Sequence, residues 1–346
     1  MTMSLAPAPP SAERWRQLAK ALLGAREVSI LLVVLAVFGL TTAYNSSFAD
    51  LLSVQQLLVG ASVMIILAVG ETLVIITRNV DLSIGSVLGL SAYVVGDIFA
   101  HNPNFPVILG FVAGAAVGLA CGVVNGAIVT IARVPSLVVT LGTLYAIRGI
   151  DAIFVNGVQI NPSSIPGSFL GVGYETIAGV PWIFIIAAVL VLLVGYGMRT
   201  FRPARDLYAI GSDPDAALLA GVPARRRVFF TFVISGTIAG FAGGLWLSVF
   251  ATVSSVAGLG YELLVIAGVV VGGVAIFGGS GTVLGAALGA ILLNTINQAL
   301  VAARISAFWD EALAGALLIT AIAFDRYVFL RRERALRIRM ATHVTA

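Results

Sequence analysis

Polar side chains stand inside several apolar runs of this sequence, and their types limit the chemistry that they can perform. Asp81 and Ser83 follow one long apolar run, and asparagines recur within later runs. Carboxylate, hydroxyl and amide groups can hydrogen-bond a hydroxylated solute, and they can equally cap a helix or bridge two helices. Both interpretations stand. The candidates for a solute pathway are Asn79, Asp81, Ser83, Asn125, Asn294 and Asn297.

Two charged residues inside a later run have helical spacing. Arg148 and Asp151 lie three positions apart, so they can meet on one helix face. Burying a charge in hydrocarbon is costly and usually serves a purpose. The spacing predicts a structural ion pair. Glu71 stands seven positions before Arg78, about two helical turns away, and has no evident partner.

The residues needed for metal, thiol or nucleotide chemistry are scarce. Cys121 is the one cysteine, and the two histidines, His101 and His343, are far apart, so we expect no metal site and no disulfide. A Walker A loop needs a lysine after its glycines, but the one lysine, Lys20, has no such loop. We expect no catalytic residue and no cofactor, and any nucleotide energy must come from a separate subunit.

The composition is that of a protein embedded in a lipid bilayer. Of 346 residues, 59% are hydrophobic and only 10% are charged, and the mean hydropathy is +1.05. The net charge of +4 does not indicate nucleic-acid binding, because the basic residues stand at the ends of apolar runs. These features predict an all-α, polytopic integral membrane protein.

About ten segments are long and apolar enough to cross a bilayer as helices. The predicted spans are 28–44, 54–76, 82–100, 107–132, 135–155, 181–198, 228–250, 261–277, 282–303 and 310–329. With ten spans, all but two of the 20 Lys and Arg residues fall on one side, which is the cytoplasmic side by the positive-inside rule. Arg304 falls outside and Arg148 within a span. Both termini are therefore expected in the cytoplasm.

The order of apolar spans and basic stretches divides the chain into a transmembrane domain and two tails. Residues 1–27 are expected to form a cytoplasmic tail with a short interfacial helix, and residues 28–329 the transmembrane domain. Residues 199–227 form a basic cytoplasmic loop within that domain, and residues 330–346 a basic cytoplasmic tail. The chain is therefore expected to cross the cytoplasmic membrane several times.

Glycines recur at every fourth position of the fourth span. This spacing places them on one helix face, where another helix backbone can approach closely. The row consists of Gly110, Gly114, Gly118, Gly122 and Gly126. Simple packing explains it, and a sliding surface would have the same pattern.

The basic loop contains the signals of a short helix of about seven residues. Ser212 or Asp213 can cap its start, Pro214 suits its first position, and Gly221 can end it. So short a helix is marginal alone and needs a surface to pack on. It either lies on its own bundle or docks on a partner protein.

Several stretches of the chain resemble one family of transport proteins. Asp215-Ala216-Ala217 followed by Gly221 resembles the Glu-Ala-Ala…Gly coupling loop of ATP-binding-cassette importer permeases, with Asp in place of Glu. The stretch 79–86 resembles the signature of the ribose/xylose-type carbohydrate permeases, although Asn79 stands where a glycine is common. Further similar stretches lie at 125–126, 135–136, 140–143, 148–149, 262 and 272–283.

Within that family, 77–81, 305–310 and 324–326 resemble the branch of autoinducer-2 and rhamnose import permeases. The resemblance implies a permease subunit, not an enzyme, that brings a monosaccharide or similar polyhydroxylated solute into the cytoplasm. It also implies an ATPase subunit, a second permease chain in a homodimer or heterodimer, and an extracytoplasmic solute-binding protein. The coupling residues would be Asp213, Pro214, Asp215, Ala216, Ala217 and Gly221.

One alternative from another class of transporter stays open. A secondary transporter driven by a proton or sodium gradient would use an intramembrane carboxylate as its carrier. The candidate carriers are Glu71, Asp81, Asp97 and Glu262. Such a protein would work without ATP. A membrane scaffold without transport is a further possibility, and it would show no flux of solute.

Overall fold

The computed structural model describes residues 26–306, 309, 312–323 and 326–327. Within them the protein consists of α-helices, two 3₁₀ turns at Ser46–Ala49 and Pro162–Ser164, and a short antiparallel hairpin of β1 (Thr176–Ile177) and β2 (Val180–Pro181). The helices are α1 Arg26–Tyr44, α2 Leu51–Ile76, α3 Ile84–His101, α4 Val107–Thr130, α5 Ser136–Val155, α6 Gly167–Tyr174, α7 Trp182–Thr200, α8 Arg202–Ser212, α9 Pro214–Leu219, α10 Ala224–Phe250, α11 Tyr261–Val271, α12 Val283–Ala302 and α13 Ala312–Ala323.

Most of the predicted spans are long apolar helices. Among the described residues, eight helices are long and apolar enough to cross a membrane, namely α1 to α5, α7, α10 and α12. The predicted spans at 261–277 and 310–329 contain the shorter apolar helices α11 and α13. The prediction of an all-α, polytopic membrane protein is confirmed. The tail at 1–27, apart from its last two residues, and the tail at 330–346 lie outside the described residues.

The centre of the bundle is formed by α2, α3 and α10. Every residue of α2 from Ala61 to Ile76 is buried, as expected for a helix that is apolar on all sides. The peripheral helices α1, α4, α5 and α7 instead expose large apolar side chains, among them Leu35, Ile108, Ile153 and Leu192. These exposed side chains suit contact with lipid or with another apolar chain.

The glycine row of α4 lies against α10. A Cβ atom at Gly118 would overlap the Gly236 carbonyl, and one at Gly240 would overlap the Gly114 carbonyl. The two backbones approach this closely because both contact faces lack side chains. Gly110 begins the row against the ring of Phe99, and Gly126 ends it against Phe229.

Three non-helical segments interrupt the bundle. Residues 77–83 join α2 to α3, and residues 272–282 join α11 to α12. The third segment, 251–260, follows α3 from Gly96, where Val253 packs, to Gly85, which meets the Gly258 carbonyl. Non-helical backbone at membrane depth is tolerated where protein surrounds it. α11 therefore begins beside the first turn of α3.

Candidate functional site

The short helix α9 is capped at its start as its sequence predicts. The Asp213 side chain accepts hydrogen bonds from the backbone N–H groups of Asp215 and Ala216, both at 3.0 Å. Pro214 occupies the first turn, where a missing N–H is no loss. The carboxylate of Asp215 also lies in the first turn, where it favours the positive end of the helix dipole.

The end of α9 is closed by backbone hydrogen bonds. The Val222 N–H donates to the Ala217 carbonyl and the Gly221 N–H donates to the Leu218 carbonyl, both at 3.0 Å. Gly221 has φ +76°, a left-handed conformation that glycine adopts without steric cost. The sequence signals for the start and the end of this helix both correspond to contacts in the structure.

One face of α9 packs on the bundle and the other is exposed. Ala217 is 4% exposed and packs with Val74, Ile210 and Phe232. Leu218 and Leu219 are 67% and 90% exposed. Ala217 therefore positions the helix, whereas Leu218 and Leu219 form an apolar surface beside the exposed Asp215.

The preceding helix α8 connects α9 to two of the non-helical segments. Arg78 donates from Nε to the Gly211 carbonyl at 2.6 Å and from Nη2 to the Ser212 carbonyl at 2.7 Å. The Gly279 N–H donates to the Ile76 carbonyl at 2.9 Å. A Cβ atom at Gly211 would overlap that same carbonyl. We call the contact of Arg78, Gly211, Ser212 and Gly279 the junction.

Two further contacts fix α8 in place. Arg227 of α10 pairs with Asp206 at 2.9 Å, and the pair is largely buried. The Tyr208 hydroxyl donates to the Gly281 carbonyl at 3.0 Å, and burial raises the pKa of that hydroxyl. α8 is therefore in direct contact with both the 77–83 and the 272–282 segments.

A buried polar network fills the 77–83 segment. The Asp81 N–H donates to Glu71 Oε1 at 3.0 Å, and Asp81 Oδ1 accepts from the Ser83 hydroxyl at 2.6 Å. Asn125 of α4 donates to that hydroxyl at 2.8 Å. Glu71 thus has a partner that its sequence spacing did not reveal, because the chain reverses between Ile76 and Ile84.

The other pathway candidates lie apart from this network. Asn79 turns back to Thr77, donating to its carbonyl at 2.9 Å and to its hydroxyl at 3.0 Å. Asn294 donates to the Leu57 carbonyl at 2.9 Å and so links α12 to α2. Asn297, one turn further along α12, is half-buried. The structure brings Asp81, Ser83 and Asn125 together and leaves Asn294 and Asn297 elsewhere.

The ion pair expected between Arg148 and Asp151 does not form. Among the described residues, both carboxylate oxygens of Asp151 have no hydrogen-bond partner, and Arg148 donates to the Ala257 carbonyl instead. Helical spacing alone could not reveal this arrangement. The 251–260 segment is distant from α5 in sequence but lies beside it in the structure, and its Ala257 carbonyl accepts the hydrogen bond from the Arg148 guanidinium.

Comparison with known proteins identifies the family. Residues 53–322 match the family described as branched-chain amino acid transport system, permease component. The chain is 34% identical to the autoinducer 2 import system permease protein LsrC of Enterobacter sp. (strain 638), over 92% of each chain. It is 32% identical to the protein of that name from Yersinia pseudotuberculosis serotype O:3 (strain YPIII), over 93% of this chain and 90% of the relative.

The LsrC protein of Photorhabdus luminescens is 32% identical over 87% of this chain and 89% of its own length. No solved structure gave a significant match. The resemblance to ATP-binding-cassette permeases thus extends over most of the chain, and the helical bundle agrees with a multi-pass inner-membrane protein. The chain belongs to the permease-component family of branched-chain amino acid transport systems.

Proposed function

We propose that the chain is the membrane-spanning permease of an importer powered by a separate ATPase subunit. The solute is a monosaccharide or a related small polyhydroxylated compound, with autoinducer 2 and rhamnose as the first candidates. The similarity to autoinducer 2 permeases supports this solute class. The observation that carries the proposal is α9, a capped helix with an apolar face exposed and a firm connection to the bundle.

The exposed face of α9 is the docking surface for the ATPase in this proposal. Leu218 and Leu219 enter a groove of the partner, and Asp215 contributes a charge at the edge of the contact. Closure of the ATPase dimer on ATP displaces α9. Because Ala217 is held in its pocket, the displacement moves α8 and the junction as a unit rather than bending a free loop.

The junction then changes the membrane-spanning part. Arg78 lies in the 77–83 segment and Gly279 in the 272–282 segment, so a displacement of the junction moves both segments. Both segments precede helices that cross the bundle. Their joint displacement shifts the protein between outward-open and inward-open states, a rigid-body transition of the kind known in other transporters.

Two permease chains enclose the pathway, and an extracytoplasmic binding protein delivers the solute. The exposed apolar face of α5, with Ile150 and Ile153, is available for the second chain. Asn79, Asp81 and Ser83 lie within the moving 77–83 segment, Asn125 hydrogen-bonds Ser83, and Asn294 and Asn297 lie on α12. Weak contacts of this kind let a solute pass without retaining it.

The docking surface is tested by purification of the tagged chain from its native membrane in mild detergent. We expect a Walker-containing ATPase to accompany the wild type and to be lost from Leu219→Asp. Asn104→Asp is the matched control, because it places the same charge on an exposed turn between α3 and α4. Recovery of the ATPase with Leu219→Asp, together with normal uptake, would refute docking through α9.

The energy source is tested separately by uptake of autoinducer 2 and of radiolabelled L-rhamnose in whole cells. We expect uptake to persist when ionophores collapse the proton and sodium gradients while ATP is maintained. Uptake that stops with the gradients and does not need ATP would favour the secondary transporter and would direct attention to Glu71, Asp81, Asp97 and Glu262.

A further inference from the structure

A second polar cluster lies between α3, α5 and the start of α11. Arg148 of α5 donates from Nη1 to the Ala257 carbonyl, and its guanidinium interacts electrostatically with both Asp151 and Glu262. Glu262 stands in the first turn of α11 and accepts the Gly260 N–H at 3.3 Å. The cluster therefore joins α3 and α5 to the start of α11. Arg148 and Ala257, which are hydrogen-bonded in it, are 109 residues apart in sequence.

The cluster has unused hydrogen-bonding capacity. Among the described residues, no partner is present for Asp151 Oδ1 and Oδ2, Arg148 Nε and Nη2, or Glu262 Oε2. Asp151 is 0% exposed, so water at the protein surface does not satisfy it. Leaving buried polar atoms without partners costs free energy, and intramembrane charges usually have a functional role. A bound group would supply the missing partners.

Glycines of α3 make room for the cluster. A Cβ atom at Gly85 would overlap Glu262 Oε2, and one at Gly89 would lie 3.1 Å from Arg148 Nη1. One turn beyond Gly89, the Tyr93 hydroxyl donates to the Val158 carbonyl at 3.3 Å, near the end of α5. The close approach of the 257–262 segment to α3 therefore depends on two positions without side chains.

We propose that Arg148, Asp151 and Glu262 form a binding site for the vicinal hydroxyl groups of the transported solute. This proposal rests on the proposed function and adds a site to it. Asp151 accepts two adjacent O–H groups, one on each oxygen, and Glu262 Oε2 accepts a third. Arg148 Nε and Nη2 donate side by side to hydroxyl or ring oxygens of the same solute.

The charges of the site favour a neutral solute. Two carboxylates outnumber one guanidinium, so an anionic solute such as a sugar phosphate meets net repulsion. A simple cation does not use the two free N–H groups of Arg148. A neutral polyhydroxylated compound offers O–H donors for the carboxylate oxygens and oxygen acceptors for the guanidinium N–H groups, which are the two kinds of unpartnered atom in the cluster.

The site lies on the inner face of α5. Asp151 is fully buried on the same face as Ile147 and Val155, and Arg148 and Glu262 beside it are half-buried. The site therefore faces the other helices of the same chain rather than the exposed face of α5.

The test compares uptake of L-rhamnose with uptake of its 2-deoxy analogue in cells that carry each variant on the chromosome. The binding protein is unchanged in every strain, so a change in the ratio of the two rates reports the permease. We expect Asp151→Asn to lower L-rhamnose uptake about tenfold and to bring the ratio towards one, because one charge-assisted hydrogen bond is lost.

The control variant is Asp97→Asn, which removes a carboxylate that is partly exposed and pairs with His101 at 3.3 Å on α3. It should keep the wild-type ratio. Immunoblots of membranes and recovery of the ATPase show whether each variant is inserted and assembled. Asp151→Glu, which restores the charge, should regain part of the discrimination.

The outcomes separate this site from the function itself. Equal loss of both rates in Asp151→Asn at normal membrane level indicates a structural role and overturns the site. An unchanged ratio in both Asp151→Asn and Arg148→Gln does the same. If the wild type takes up neither autoinducer 2 nor L-rhamnose in an ATP-dependent manner, the proposed function fails and the site proposal fails with it.

Discussion

At the scale of single residues, Arg78 contributes more than charge to the junction. It has φ +63°, and its guanidinium reaches two carbonyl groups at once, those of Gly211 and Ser212. A lysine at this position keeps the charge but lacks the planar fork that makes both bonds. The sequence indicated only a basic residue on the cytoplasmic side, because nothing in it shows that Ser212 folds back towards the end of α2.

We therefore expect Arg78→Lys to separate ATP hydrolysis from transport. The ATPase should still accompany the variant, since α9 is untouched, while solute uptake falls about tenfold or more through the loss of one charge-assisted hydrogen bond. Uptake and ATP hydrolysis measured together in proteoliposomes check this. Arg225→Lys, on an exposed position of α10, is the control. Normal uptake in Arg78→Lys would exclude the junction from coupling.

Ala217 shows what sequence can and cannot predict at this scale. The cap at Asp213 and the stop at Gly221 follow from local residue types, and both are present. The direction in which Ala217 points was not predictable, because six residues cover fewer than two turns and show no periodicity. The side chain contacts the bundle rather than a partner.

A larger side chain at Ala217 should accordingly act through packing. Ala217→Leu overfills the pocket formed by Val74, Ile210 and Phe232, and such overpacking costs about 1–3 kcal/mol of stability. We expect a lower melting temperature in detergent for Ala217→Leu and an unchanged one for Leu218→Ala. Equal melting temperatures would mean that α9 is not held by this pocket.

At the scale of helices, some glycines lie at close contacts with a neighbouring backbone and others have open space beside them. The sequence distinguishes these two kinds only in part. The four-residue spacing in α4 indicated a close helix contact, although not that α10 is the partner. Gly142 of α5 belongs to no such row, and the structure leaves open space at its Cβ position within the described residues. The contact partner is set by tertiary packing between segments more than 100 residues apart in sequence.

This difference predicts opposite effects of the same substitution. Gly118→Ala forces α4 and α10 apart, since its Cβ would overlap the Gly236 carbonyl, and should cost about 1–3 kcal/mol. Gly142→Ala should be neutral or stabilising by up to about 1 kcal/mol through helix propensity. Melting temperatures of the two purified variants check the pair. Similar values for both would contradict close packing at Gly118.

At the scale of the whole molecule, eight of the ten spans predicted from apolar length are long apolar helices in the described residues, and the other two contain shorter helices. Apolar length predicted the interruptions poorly, because hydropathy does not distinguish a continuous helix from α11 followed by the non-helical 272–282 segment. The same limit applies to 251–260, whose path beside α3 depends on Gly85 and Gly89 rather than on its own composition. The polar cluster around Arg148, with its unpartnered atoms, forms because the 251–260 segment follows that path.

The orientation of the molecule is the remaining whole-chain expectation, and it has a direct test. The excess of basic residues at 199–227 places α9 in the cytoplasm, with the turn between α3 and α4 on the opposite side.

Cys121 is the one cysteine, so Cys121→Ala gives a background in which single cysteines report location. In intact spheroplasts, a membrane-impermeant maleimide should label Asn104→Cys at once and Asp215→Cys only after the membrane is permeabilised. Both positions are exposed, so burial does not explain a difference between them. Labelling of Asp215→Cys in intact spheroplasts would place α9 outside, where no ATPase could reach it, and would remove the physical basis for coupling through this helix.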